Sequence, residues 1–151
     1  AAELRLDRSA GMQIFVTSFS YRFGLPREAD LVFDMRFLDN PHWEQELRGL
    51  TGRDAPVSEY LAADPAYEPF LQGLFDLLEP LLERYQTSGK SYLTIAFGCT
   101  GGQHRSVAAA ERVARWLNEK GWPVGLTHRE LERTAINSSA HRADAFSRPG
   151  G

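Results

Sequence analysis

Gly98-Cys99-Thr100-Gly101-Gly102-Gln103-His104-Arg105-Ser106 places a thiol, hydroxyls, an imidazole, a guanidinium and flexible glycines in one short stretch. The β-branched and aromatic run from Tyr92 to Phe97 before it reads as a strand, and a helical pattern starts near His104. A helix entered so abruptly leaves its first N–H groups without internal partners, and that end of a helix attracts anions. Gly101 and Gly102 let the backbone come close to a ligand, Thr100 adds a hydroxyl donor, and Arg105 can grip phosphate or carboxylate with two prongs. The expected chemistry is the binding of a phosphorylated or otherwise anionic ligand. A tight strand-to-helix turn would want the same glycines for geometry alone, but not the Cys, Thr, His, Arg and Ser found among them.

A second loop complements the first. Leu38-Asp39-Asn40-Pro41-His42-Trp43 follows a strand, and its Asp, Asn and Pro favour irregular structure. His42, with Asn40 beside it and Arg36 just upstream, offers further donors, because an imidazole binds phosphate when protonated. The spacing Cys99-x-x-Gly102-x-x-Arg105-Ser106 also resembles the phosphate loop of cysteine-dependent protein tyrosine phosphatases. That resemblance implies an alternative in which the Cys99 thiolate attacks phosphorus and Asp39 or Asp54 protonates the leaving group. Gly98 stands where the phosphatase pattern usually has histidine, so Cys99 reads first as a residue that shapes the ligand site. No pair of His or Cys has a familiar ligand spacing, so neither a metal nor a cofactor is expected.

The elements that must position these loops can be read from periodicity. Strands are expected over Gln13 to Phe19, Leu31 to Phe37 and Tyr92 to Phe97, with a short fourth near Val124 to Leu126. Asp54 and Asp64 each suit a helix start, the latter with Pro65 at the first helical position. Phe70, Leu71, Leu74, Leu77, Leu78, Leu81 and Leu82 recur at helical spacing as a core stripe, with a kink expected at Pro80. From Arg105 to Lys120, Val107, Ala110, Val113, Ala114 and Leu117 share one side, Arg112, Arg115 and Glu119 face outward, and Gly121 is placed to end the helix. Thr127-x-x-Glu130 has capping-box spacing, which makes His128 a helix-start residue rather than a catalyst. Strands alternating with helices predict an α/β domain: a single layered unit with a small central, mostly parallel sheet flanked by helices, and sites at the carboxyl ends of the strands.

At 151 residues with 42% hydrophobic composition, the chain matches one domain with a real core. A net charge of -3 supplies no global basic field for nucleic acid or anionic membrane, so any RNA contact needs a local patch. One cysteine forms no internal disulfide and no apolar run approaches a membrane span, which sets a cytoplasmic expectation. Residues 1–10 read as the end of a linker, 11–137 as the ligand-binding domain and 138–151, which includes His141, as a disordered tail.

Four separated motifs carry a wider resemblance: the loop Gly98 to Val107; Asp34-Met35-Arg36-Phe37 running into Leu38 to Trp43; Ser18-Phe19-Ser20-Tyr21-Arg22-Phe23-Gly24-Leu25-Pro26; and Leu50-Thr51-Gly52. Together, over roughly residues 11–135, they resemble the C-terminal domain of the RNase adapter family of RapZ, also called the YvcJ family. The resemblance implies a non-catalytic sensor and adapter that binds glucosamine 6-phosphate and small regulatory RNA, and presents the RNA to an endoribonuclease. It also implies self-association and a partner N-terminal P-loop nucleotide-binding domain, whose Gly-x-x-x-x-Gly-Lys-Ser/Thr motif this sequence does not contain. The implied sugar-phosphate pocket uses His42, Thr100, Gly101, Gly102, His104 and Arg105, with Arg36, Asn40 and Cys99 nearby. The segment 129–137 holds few positive charges, so RNA contact would turn to Arg22, Arg48, Arg112 and Arg115. A sugar-phosphate sensor acting on protein partners without RNA, and a phosphatase using Cys99 and Arg105, stay open beside the adapter.

Overall fold

A computed structural model describes residues 11–136; the expectations for residues 1–10, Asn137 and 138–151 lie outside the described residues. Four strands form one sheet in the order β2-β3-β1-β4: β1 Gln13–Ser20, β2 Leu31–Asp34, β3 Tyr92–Cys99 and β4 Val124–His128. Every pairing is parallel, so Ser20, Asp34, Cys99 and His128 all finish at one edge. Parallel strands need crossovers. Between β2 and β3 the crossover holds α1 (Ala55–Ala62) and α2 (Tyr67–Thr87), and between β3 and β4 it is α3 (Arg105–Glu119). A last helical segment, α4, covers 129–136.

Alternation along the strands places Ile14, Val16, Leu93, Ile95 and Phe97 in the core, against Leu71, Leu74, Leu78 and Leu82 of α2 and Val113 and Leu117 of α3. Burial of such side chains contributes about 1.5–3 kcal/mol each. The stripe on α2 is narrower than its periodicity indicates, because Leu77 is exposed. The first turns of α3 are buried on every side, since Gly52 of the preceding crossover lies against the backbone of His104 and Ala108.

Several boundaries differ from the sequence reading for local reasons. The second strand stops at Asp34 instead of Phe37, because the Asp34 carboxylate accepts Arg36 N–H at 2.9 Å and turns the chain. The third extends to Cys99, since Gly98 can sit between β1 and β2 where a Cβ would strike the Phe19 ring. The helix after Asp64 begins at Tyr67, and Asp64 closes the turn before it by accepting from the amides of Ala66 (3.0 Å) and Asp39 (2.8 Å). That helix continues through Pro80 as one element. The capping box does not form. Thr127 donates its hydroxyl to Thr17 Oγ (3.1 Å), and Glu130 reaches away to accept the Ser20 amide (2.6 Å).

Candidate functional site

Three loops meet at the carboxyl edge of the sheet: residues 20–24 after β1, 35–50 after β2 and 100–104 after β3. The short helical turn Pro41–Trp43 fixes the second loop, with the Asn40 side chain accepting from His42 N–H at 3.1 Å. Together the loops enclose a cavity of about 110 Å³ lined by Arg22, Asn40, His42, Cys99, Thr100, Gly101, Gln103, His104 and Arg105.

Arg105 is only 5% exposed, and among the described residues no carboxylate lies within 4 Å of it. Its Nη1 donates to the carbonyls of Arg36 and Leu38, both at 3.1 Å, while Nε and Nη2 find no acceptor among the described residues. The carboxylate whose charge Arg105 feels, Asp34, is itself paired with Arg36, so a buried cation with no carboxylate within 4 Å favours a negatively charged guest. The backbone N–H groups of 100–105 likewise have no acceptor among the described residues. His42 and Arg22 contribute exposed donor-bearing side chains to the same cavity.

The remaining side chains brace this geometry. His104 is buried and donates from Nε2 to the Leu47 carbonyl at 3.0 Å. Burial lowers its pKa from the ordinary histidine value, with His42 and Arg105 adding to the effect, so His104 is held as the neutral imidazole. Gln103 donates from Nε2 to the carbonyls of Arg48 and Leu50, both at 2.7 Å. The Ser20 hydroxyl donates to the Thr100 carbonyl at 2.5 Å. Cys99 is buried; its Sγ accepts Ser106 N–H at 3.4 Å and its thiol donates to Ser106 Oγ at 3.1 Å.

Of the nine ligand-site residues expected from sequence, seven line the cavity and two do not. The Arg36 side chain pairs with Asp34 at 2.7 Å and stacks over the Tyr21 ring; only its carbonyl reaches the site, through Arg105. Arg36 in turn holds the Asp34 carboxyl below the usual carboxylate range. Gly102, at φ +67°, lies against Glu130 and Ser20, where a side chain has no room. Gln103 was missed, although its place inside the loop motif was the available signal. Arg22, expected as an RNA contact, lines this cavity, and Arg48 is fastened to the His42 carbonyl at 2.7 Å. Arg112 and Arg115 line a different cavity. His128, fully buried, accepts at Nδ1 from the Ser18 hydroxyl (2.6 Å) and donates from Nε2 to Glu111 (3.0 Å). Among the described residues no cluster of His, Cys, Asp or Glu is placed to hold a metal, and no helix is long and apolar enough to cross a membrane.

Fold and site define an α/β domain with a cationic cavity at the carboxyl ends of its parallel strands. Within that class, the chain belongs to the RapZ C-terminal domain family, whose model matches residues 12–132. It is 61% identical over 132 residues to a nucleotide-binding protein of Paramagnetospirillum magneticum, covering 87% of this chain and 43% of the relative. Nucleotide-binding proteins of Rhodospirillum centenum (59% over 129 residues; 85% and 39% of the two chains) and Rhodospirillum rubrum (56% over 133; 88% and 42%) are similar. The chain thus spans about two fifths of the length of these curated relatives.

Proposed function

We propose that this is a ligand-sensing adapter domain whose cavity takes a sugar phosphate, glucosamine 6-phosphate. The observation that carries the reading is the buried Arg105 guanidinium, with two nitrogens uncommitted beside the unpaired amides of 100–105. The small cavity takes the phosphate and leaves the sugar at a mouth bordered by Asn40, His42 and Arg22. Family membership and the relatives' names support an adapter rather than an enzyme. Calorimetry with glucosamine 6-phosphate is expected to give saturable heats with the wild type. Arg105→Ala should lose roughly tenfold or more in affinity, since a hydrogen bond to a charged group contributes about 1.5–3 kcal/mol. Equal heats from both proteins, or none from either, overturn the reading.

On the same reading the domain acts in the cytoplasm, self-associates, works beside an N-terminal nucleotide-binding domain and presents small regulatory RNA to an endoribonuclease. RNA contact there rests on Arg22 and Arg48, the two arginines at the loop edge. Retardation of RNA should weaken steeply with added salt as backbone phosphates are neutralised. No retardation would favour a sensor that acts on protein partners without RNA.

One observation favours a second reading. Cys99 lines the same cavity as Arg105, and its Sγ accepts Ser106 N–H at 3.4 Å, a placement that fits a sulfur nucleophile under a phosphate. Asp39, between Leu38 and Asn40, is then the acid, whereas the Asp54 carboxylate is engaged by the Thr51 amide at 2.8 Å. Turnover of an aryl phosphate by the wild type that vanishes in Cys99→Ser would replace the sensor with a phosphatase.

A further inference from the structure

The largest cavity among those described, about 540 Å³, lies between α1, α2 and the first turns of α3, away from the loop that carries Arg105. Tyr67 on its wall is only 5% exposed, yet its hydroxyl has no hydrogen-bond partner among the described residues. Among the described residues that oxygen is not one of the fully enclosed side-chain atoms that lack a hydrogen bond, so it opens onto the cavity. A phenol whose ring is buried and whose hydroxyl faces a cavity with no protein acceptor is free to donate to an occupant of that cavity. Burial pushes the Tyr67 phenol up to about 12, with Arg112 and Arg115 acting against that rise and Glu68 with it. The hydroxyl is therefore a donor at neutral pH, and both guanidinium groups lie within electrostatic reach of it.

The charges around this phenol are unevenly committed. Arg53 Nε pairs with Glu111 at 3.2 Å, and Arg112 meets Glu68 only loosely at 3.7 Å. Arg115 has no carboxylate within 4 Å among the described residues. Glu59, from α1, is likewise without an ion-pair partner among the described residues. We propose that this cavity is a second ligand site, for a small organic oxyanion whose carboxylate or phosphate accepts from Tyr67, Arg112 and Arg115. Glu59 takes a hydroxyl or amino group on the body of that ligand, and the volume suits a molecule of up to about nucleotide size. Gly52 lines this cavity and donates its N–H to the carbonyl of Gln103, a residue of the first cavity, at 2.9 Å. The two sites therefore share the crossover segment between them.

The test is amide-resolved NMR titration of the 151-residue chain with citrate, adenosine monophosphate and inorganic phosphate in turn. Saturable shifts are expected around residues 58–68 and 108–115 with citrate or adenosine monophosphate, and the stronger of the two tells carboxylate from phosphate. Tyr67→Phe, which removes only the hydroxyl, and Arg115→Ala, on an exposed side chain, should each weaken binding at least fivefold. Arg105→Ala should leave it unchanged, which separates this site from the one at the sheet edge. Absence of saturable shifts there with both citrate and adenosine monophosphate, shifts produced by inorganic phosphate alone, or an undiminished affinity in Tyr67→Phe overturns the proposal.

Discussion

Arg105 Nη1 lies 3.1 Å from the carbonyl oxygen of Leu38, so the cation of the glycine-rich loop is fastened to the loop that carries Asn40 and His42. Two opposing effects follow for Arg105→Met. The variant loses hydrogen bonds to two carbonyls, and it also removes a buried cation that has no carboxylate within 4 Å among the described residues. These nearly cancel, so the ligand-free protein should change stability by less than about 1 kcal/mol, roughly 2–4 °C in melting temperature for a domain near this size. The wild type gains stability from a bound anion, about 2.7 kcal/mol at a hundredfold excess over its dissociation constant, and the variant should gain nothing. Melting curves with and without glucosamine 6-phosphate check both halves. A retained ligand response would make Arg105 merely structural.

His104 and His128 both have pKa values depressed in the folded state, chiefly by burial. The unfolded chain then takes up protons near the ordinary value of 6.5 while the native imidazoles stay neutral. Since the unfolded state binds more protons, stability must fall as pH drops below that value, until the folded pKa values are passed. Urea melts at pH 7.5, 6.5 and 5.5 should show a declining midpoint, and the decline should be shallower in His104→Asn. The carboxylates held low by hydrogen bonds, Asp34 and Asp64, lose their contribution only at more acid pH, below the ordinary carboxylate value of 3.8. A midpoint flat from pH 7.5 to 5.5 would contradict the buried, neutral placement of both imidazoles.

Arg105, His42 and the glycine loop were legible because local patterning encodes them: a β-branched run, glycines, then helical periodicity. Arg36 was not, because the competitor for its guanidinium, Asp34, only becomes decisive once the strand ends early and the chain turns. The capping box at Thr127 failed for a related reason. Thr17 and Ser20 come from a strand more than a hundred residues away, and their groups outbid the local partners. Distant pairing is also why the arginines could not be sorted: Arg112 and Arg115 share helix spacing with each other, but nothing local assigns Arg22 to a separate cavity.

Glycines in and beside the site are not equivalent, and Gly52, like Gly98 and Gly102, has no room for a side chain. A Cβ there would stand 2.3 Å from Ala108 N and 2.4 Å from the His104 carbonyl oxygen, both backbone atoms that cannot swing aside. Gly52→Ala should cost about 2 kcal/mol or more by overpacking. It should also disturb the Gly52–Gln103 hydrogen bond of 2.9 Å and weaken ligand binding. At Gly101 an added Cβ meets nothing within 4 Å. Gly101→Ala should hold stability within about 0.5 kcal/mol, any loss appearing in affinity alone. Chemical denaturation of the two variants side by side decides the matter, and similar stabilities would contradict the close approach at Gly52.

Trp43 supplies an optical report on the cavity. It is 76% exposed, its ring centroid is 6.4 Å from that of His42, and His42 lines the site. The other tryptophans lie elsewhere: Trp122 is 4% exposed, and Trp116, partly buried, stacks on Phe75 with ring centroids 4.5 Å apart. Ligand entering beside His42 changes the solvation of the Trp43 indole and leaves the other two untouched. Glucosamine 6-phosphate should therefore alter the red-edge emission of the wild type in a saturable way. Trp43→Phe should abolish that response while keeping stability within about 0.5 kcal/mol, as expected for an exposed side chain. An emission change that survives in Trp43→Phe would move the ligand away from the His42 loop, toward the α2 and α3 surface where Trp116 sits.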